Sequence, residues 1–428
     1  MVIVSKKTII GGAIGNALEM YDYVMWGLFS VYLSKEFLPP QSKLSDIFFL
    51  FLITYILRPI GGLVGGILAD QVGRKNILTL SIFLMGICTS IVGIFPSYGS
   101  IGVISFFLLL FIRLIQVFAV GSEYISSIAL LIESCDKNER GFFGSWAAFG
   151  VNAGVLVSSL FGSLILYLID IKVLPDWGWR LAFILALVTM LIGFWIRNSL
   201  PESLEFITEN ARKEKKTFFE VLHEALNVFK SQSFDTLLVF SLVCFGVSTT
   251  ILIFVYAPIH MTTVNHIHNT QSFTINSSSL ALLTLLIPLF GFISDYFGRT
   301  KLILMGSITL ILLSLPYFNL LSSGTFYQVL LSHTLMAIPC ASLFAVTPVL
   351  ITEIFPLSIR CSITNLIYSL AACIGGGITP LIAFRLEHYI NYFPGLILVI
   401  LGAINILLLQ IYVKRNNQLS STLTLVKE

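Results

Sequence analysis

Charge is what this 428-residue chain has least of: Asp, Glu, Lys and Arg make up 11% of it. A soluble domain carries roughly 25%. That deficit excludes an ordinary globular protein, and a hydrophobic share of 56% with mean hydropathy +0.92 takes its place. The alternation of apolar and polar residues that marks barrel strands is also missing. The apolar runs are continuous, so the expectation is an all-α membrane protein. Cysteine is sparse and scattered. Cys88, Cys135, Cys244, Cys340, Cys361 and Cys373 show neither metal-ligand spacing nor a disulfide framework. No removable signal peptide is evident. The apolar run after Lys6 and Lys7 is too long for one and carries Glu19 and Asp22 in its middle, so it reads as an uncleaved first span. No nucleophile–base pair, nucleotide loop or soluble signalling module stands out, which argues against an enzyme or a sensor.

What is present is a succession of apolar windows near the roughly 20 residues a helix needs to cross a bilayer. They fall at about 8–33, 46–69, 77–95, 101–133, 141–169, 178–197, 236–258, 277–296, 302–321, 325–352, 361–384 and 393–413, so twelve transmembrane helices are expected. With both termini inside, only Lys35, Lys43, Lys172, Arg180 and Arg385 of the 25 basic residues face outward, and Arg58 and Arg113 lie within spans. The remainder, Arg197 among them, are cytoplasmic, as the positive-inside rule demands. The net charge of +3 then reflects topology and implies no nucleic-acid partner. The lipid bilayer is the expected partner.

The only long polar stretch, about 198–235, carries an amphipathic helix near Phe218–Phe229 and divides the chain six plus six. The expected organisation is a bundle over 1–197, a cytoplasmic linker over 198–235, a second bundle over 236–413 and a short tail over 414–428. Internal repetition supports the division. Gly66-Ile-Leu-Ala-Asp70-Gln-Val-Gly73-Arg74 recurs as Gly291-Phe-Ile-Ser-Asp295-Tyr-Phe-Gly298-Arg299. Glu133 and Arg140 bracket a loop, and Glu353 and Arg360 bracket its counterpart at the same spacing. Gly66 and Gly291 permit close helix packing, while Gly73 and Gly298 allow tight reversals. Asp70 and Asp295 end their own helices, where a carboxylate is unfavourable, so each should face the N-terminus of another helix. These residues, with Glu133, Arg140, Glu353 and Arg360, read as gating or helix-end groups. A merely topogenic basic loop is the competing reading.

On these loops the chain resembles the major facilitator superfamily. Gly15-Asn-Ala-Leu-Glu19-Met-Tyr21-Asp22-Tyr23, Arg58-Pro-Ile-Gly-Gly, Gln116-Val-Phe-Ala-Val-Gly121-Ser-Glu123-Tyr124, Arg140-Gly-Phe-Phe-Gly-Ser-Trp146 and Asp176-Trp-Gly-Trp-Arg180 are similar to its metabolite:proton symporter branch. Within that branch the likeness is greatest to the proline/betaine transporters. The resemblance implies two six-helix pseudo-repeats and proton-coupled import of a small metabolite. It also implies a bacterial cytoplasmic (inner) membrane, a monomer, and no cofactor beyond the coupling proton. The branch's osmosensing members carry a long C-terminal coiled coil, whereas Lys414–Glu428 shows no heptads.

Ionisable residues inside spans are costly unless paired or hydrated, so they are functional candidates. Glu19, Asp22 and Arg113 fall near the midplane, Arg58 is mid-span, and Glu123 lies toward the cytoplasm; spans seven to twelve hold none in their interiors. Glu19 or Asp22, with Arg113 as counter-ion, is expected to couple protons, and Glu123 is a second proton site, a gate residue or the partner of a loop cation. A static buried ion network is the alternative for the whole set. Three acids against two arginines suit a zwitterion plus a proton, with Arg113 pairing the substrate carboxylate. Arg58 is the cation to watch for a dicarboxylate instead. Tyr21, Trp26, Tyr124, Trp146 and Tyr256 are candidate aromatic faces for an amine, though each alone also reads as packing. Asn152 is a candidate polar ligand. His260, His266 and His268 are expected in a solvated loop, and His333 as a packing donor rather than a relay.

Overall fold

The computed structural model describes residues 6–39, 41, 44–210, 217–387, 390 and 392–425, and among them there are helices and no strands. Lys43, Arg212, Lys213, Lys215, Lys216 and Lys427, counted above by topology, lie outside the described residues. Twelve long segments follow in order. They are α1 (Lys6–Leu28, continued as Ser30–Phe37), α2 (Leu44–Val72), α3 (Arg74–Ile94), α4 (Ile104–Glu133), α5 (Arg140–Asp170) and α6 (Asp176–Asn198). After the linker come α7 (Ser233–Thr263), α8 (Asn269–Phe297), α9 (Arg299–Ser323), α10 (Phe326–Ile354), α11 (Arg360–Glu387) and α12 (Phe393–Leu425). They reproduce the expected windows, most of them longer by part of a turn or more.

Small residues set how closely these helices approach. Gly150 and Gly154 on α5 lie against the backbone of Ala13 and Ala17 on α1, where a Cβ would meet Cα atoms at 2.9 and 2.6 Å. This crossing, with Asn16 Nδ2 donating to the Ala147 carbonyl at 3.2 Å, fixes the rotation of α1 and buries Glu19 and Asp22. Gly121 sits against the backbone of Arg58, Gly61 and Gly62, and α4 is broken by a turn there. The crossing lowers Glu123 and Tyr124 onto a separate helical stretch.

The two sets of six meet along α2–α11 and α5–α8. Gly66 abuts Cys361 and Ser362, and Gly291 abuts Gly141 and Ser145, the same contact in each repeat. Gly73 and Gly298 both adopt positive φ, 111° and 89°, as N-caps of α3 and α9, a conformation glycine reaches without strain. Two further departures lie in the second set. α7 and α11 each pass through a π-helical turn, Ile251–Tyr256 and Cys373–Ile378, ahead of Pro258 and Pro380. Such turns leave backbone groups outside the regular ladder and concentrate at functional sites.

The linker forms helices Leu204–Asn210 and Phe218–Ser231, the latter started by a Thr217/Glu220 capping box. Its Val221 and Ala225 are buried, Val221 packing with Ile67 and Ile359 at the edge of the α2–α11 seam.

Candidate functional site

A cavity of about 250 Å³ lies where the two sets of helices face each other. Its first-set wall holds Glu19, Arg58, Tyr124 and Asn152. The facing wall comes from α7, α10 and α11, including Thr250, Ile251, Thr347, Tyr368 and Gly376, so both π-helical segments reach it. Drug-sized pockets run to roughly 300–1,000 Å³, so this one suits a small metabolite. Among the described residues of its lining, Arg58 is the single Lys or Arg and Glu19 the single acid. Tyr368 is central on the far wall. Its ring lies 5.4 Å from that of Tyr124 and 5.9 Å from the Arg58 guanidinium, a cation–π distance.

Behind Arg58 lies a second cavity of about 20 Å³, lined by Asp22, Arg58, Met85, Arg113, Gln116, Val117 and Val120. That is room for about one water. Here the side chains form a directional chain. Arg113 Nη1 donates to Gln116 Oε1 at 3.4 Å, Gln116 Nε2 donates to Thr89 Oγ1 at 2.6 Å, and the Thr89 hydroxyl serves Asp22. Each donor points toward Asp22, so the chain polarises in one direction and favours a carboxylate at its end. Arg113 also lies over the Trp26 ring at 4.7 Å. Glu19 and Asp22, three apart on one helix, thus open into different compartments. Arg58 lines both.

Glu123 forms the third buried acid centre. It pairs with Arg197 at 2.7 Å and accepts from Ser81 at 2.5 Å, and Arg197 Nη1 also donates to the Leu78 carbonyl at 2.9 Å. The Arg197 side chain is 3% exposed, so it is a buried partner of Glu123 rather than a solvated loop cation. It ends α6 but folds back into the bundle, so Glu19, Asp22 and Glu123 are matched by Arg113, Arg197 and the half-buried Arg58 rather than leaving a net negative charge.

The remaining candidates divide. Asn152 lines the large cavity while its amide donates to the Ala148 carbonyl at 2.9 Å. Tyr21 is buried and donates to the Ala182 carbonyl at 2.8 Å. Trp26 is fully buried against Phe183. Trp146 stacks with Phe142 and Phe149, and Tyr256 lies beside His260, so none of these four is in the cavity lining. His260 is buried at the end of α7 and bonds Ser322 at 2.9 Å, which corrects its placement in a solvated loop; His266 and His268 are exposed. His333 is buried between the Tyr317 hydroxyl at 2.7 Å and Asn276 at 3.2 Å.

At the end of the bundle where the repeated loops lie, the two sets are latched by charges exchanged between repeats. Asp70 accepts from the backbone of Cys361 at 3.1 Å and Ser362 at 2.7 Å, capping α11. Asp295 accepts from Gly141 and Phe142, both at 2.8 Å, capping α5. Each carboxylate therefore faces the N-terminus of a helix from the other repeat, as its position in the loop requires. Arg74 binds Glu133 at 3.0 Å, and Glu133 reaches Arg360 at 2.9 Å. Glu353 pairs with both Arg140 and Arg299. The linker joins in: Glu205 bridges Arg140 and Arg360, and Glu202 accepts from the Arg74 and Lys75 amides. Loop spacing suggests Glu133–Arg140 and Glu353–Arg360 pairs; instead Glu133 binds Arg74 of its own set and Arg360 of the other, and Glu353 binds Arg299 of its own set and Arg140 of the other.

Sequence reading missed Arg197, Thr89, Gln116, Tyr368 and Glu205 as members of these constellations. For Arg197, the available signal was an arginine in the last turn of an otherwise apolar helix.

The family model described as Major Facilitator Superfamily matches residues 12–267 and 238–427. The shikimate transporter of Escherichia coli (strain K12) is 30% identical over 400 residues, 91% of this chain and 89% of the transporter. The glycine betaine/proline/ectoine/pipecolic acid transporter OusA of Dickeya dadantii (strain 3937) is 29% identical over 417 residues, covering 94% and 82%. Among solved structures, the proton:xylose symporter XylE bound to 6-bromo-6-deoxy-D-glucose superposes with TM-score 0.76 at 20% identity, covering 95% of each chain.

Proposed function

The chain belongs to the major facilitator superfamily, and from that premise we propose a proton-coupled symporter importing a small zwitterion such as proline or glycine betaine. The observation that carries this reading is the pairing of one acid and one cation, Glu19 and Arg58, on the wall of a small cavity between the halves. A dianion or trianion would want a second cation there. A zwitterion is matched in charge. The relatives that carry proline and betaines favour the same substrate class.

Coupling follows from Arg58's double exposure. In this scheme Arg58, which lines both cavities, is drawn toward Asp22 when that carboxylate is ionised. When Asp22 takes a proton, the positive field of Arg58 is released toward the substrate carboxylate, so protonation strengthens substrate binding and binding strengthens protonation. Arg113 holds Asp22 through Gln116 and Thr89 and stays out of the substrate's way. This reading moves the substrate carboxylate from Arg113 to Arg58 and gives the proton to Asp22.

Alternating access is a rocking of the bundle over 1–197 against that over 236–413, with 198–235 as a tether and the latch facing the cytoplasm. The state described here is then closed to the cytoplasm, held by Asp70, Asp295, Glu133, Glu353 and their arginines. Gly66, Gly73 and Gly298 shape that closed end.

A second reading, a hydroxylated monocarboxylate, is favoured by the 30% identity to the shikimate transporter. Uptake into proteoliposomes under an imposed pH gradient separates them. The panel is labelled proline, glycine betaine, shikimate, α-ketoglutarate and citrate. Accumulation of proline or betaine that collapses with the gradient is expected. Accumulation of only the di- and tricarboxylates contradicts the charge match.

A further inference from the structure

Glu19 takes no part in the proton step, yet it is 3% exposed and faces the large cavity. Its Oε2 is buried without a hydrogen-bond partner. A carboxylate oxygen in that position carries a large cost unless a donor or a cation arrives to meet it. The charged groups whose fields reach it are Arg58, Arg197, Asp22 and Glu123. Arg197 is committed to Glu123 and the Leu78 carbonyl, and Arg58 faces Tyr368. Two arginines and two acids balance around Glu19, so the unmet carboxylate oxygen at the cavity is what calls for a partner.

The same cavity offers the rest of a cation site. Tyr124 and Tyr368 hold their rings 5.4 Å apart at a 47° tilt and both line it. Aromatic faces attract a cationic nitrogen without needing N–H groups from it. We propose that Glu19, with the Tyr124–Tyr368 pair, is the subsite for the substrate's cationic nitrogen, and that it selects secondary and quaternary ammonium groups. This assignment rests on the zwitterion reading. It separates two carboxylates three residues apart: Asp22 for the proton, Glu19 for the substrate.

The test compares glycine betaine with 3,3-dimethylbutyrate, the same carboxylate carrying an uncharged tert-butyl group of equal shape. Both compete against labelled betaine on purified protein in proteoliposomes at fixed pH. Wild type should prefer betaine by roughly 30-fold or more, the factor expected when a buried charge loses its partner. In Glu19→Gln that preference should collapse to within about threefold, chiefly by weaker betaine binding. An unchanged preference in Glu19→Gln overturns the proposal. Should that variant fail to yield monodisperse protein, Tyr124→Leu is read the same way, and there too an unchanged preference overturns it. If wild type binds shikimate and neither betaine nor proline, the zwitterion reading itself has failed. Betaine binding with a preference insensitive to Glu19 fails the subsite alone.

Discussion

The two six-helix sets share loops, glycines and latch pairs, yet their interiors are chemically unlike. The first buries Glu19, Asp22, Glu123, Arg113 and Arg197, with Arg58 at its cavity edge. The second packs a large aliphatic and aromatic core, relieved by hydroxyls and by the His333–Tyr317–Asn276 network. The repetition extends to the closing surface, where each set receives the other's Asp and Glu. It does not extend to the interior. A proton and a charged substrate need titratable groups on one side of a cavity only; the opposite wall needs shape, aromatic faces and turns that bend. The π-helical segments of α7 and α11 lie on that opposite wall.

The contrast can be broken or sharpened by substitution. The largest effect is expected at the Glu123–Arg197 pair. Glu123→Gln strands a buried guanidinium and should cost about 3–5 kcal/mol of stability, read as thermal unfolding in detergent. Adding Arg197→Leu should recover most of it. Next, Arg58→Ala should weaken substrate binding by about 2–4 kcal/mol, 30-fold or more, whereas Thr347→Val on the facing wall should change affinity by less than about threefold. A comparable loss from Thr347→Val would erase the division of labour.

Smaller effects belong to the latch. Glu205→Ala removes a carboxylate shared by Arg140 and Arg360 and should loosen the closed end by about 1–2 kcal/mol. Faster maleimide labelling of buried Cys361, by about tenfold, would report it. Smallest, Tyr317→Phe should cost about 1 kcal/mol of stability and leave gradient-driven accumulation intact, because the network it breaks lies off the cavity lining. Lost accumulation there would place proton chemistry in the second set.

Much of this was legible beforehand, for identifiable reasons. Twelve apolar windows, the twice-occurring Gly-x-x-x-Asp-x-x-Gly-Arg loop and the confinement of intramembrane charge to one half are linear features. The reach of Asp70 and Asp295 to foreign helix N-termini followed from electrostatics at a helix end. Which side chains converge did not follow. Helices that are apolar all round have no polar stripe to mark the inward face, so sequence favours Arg113 for the substrate carboxylate, whereas Arg58 is the arginine that lines the large cavity. Trp26 and Trp146 look like ligands in sequence and are packing in space. Arg197 sits at a span end and was counted with the loop cations, and Glu205 lies in a linker whose polar composition conceals a structural role.

We propose that Asp22, on the small cavity it shares with Arg58, carries the proton. Asp22→Asn in proteoliposomes tests it, with betaine accumulation under an imposed pH gradient and counterflow exchange without one measured on the same preparation. The account predicts that accumulation falls to the equilibrium level while counterflow persists. Accumulation at the wild-type level in Asp22→Asn would contradict it.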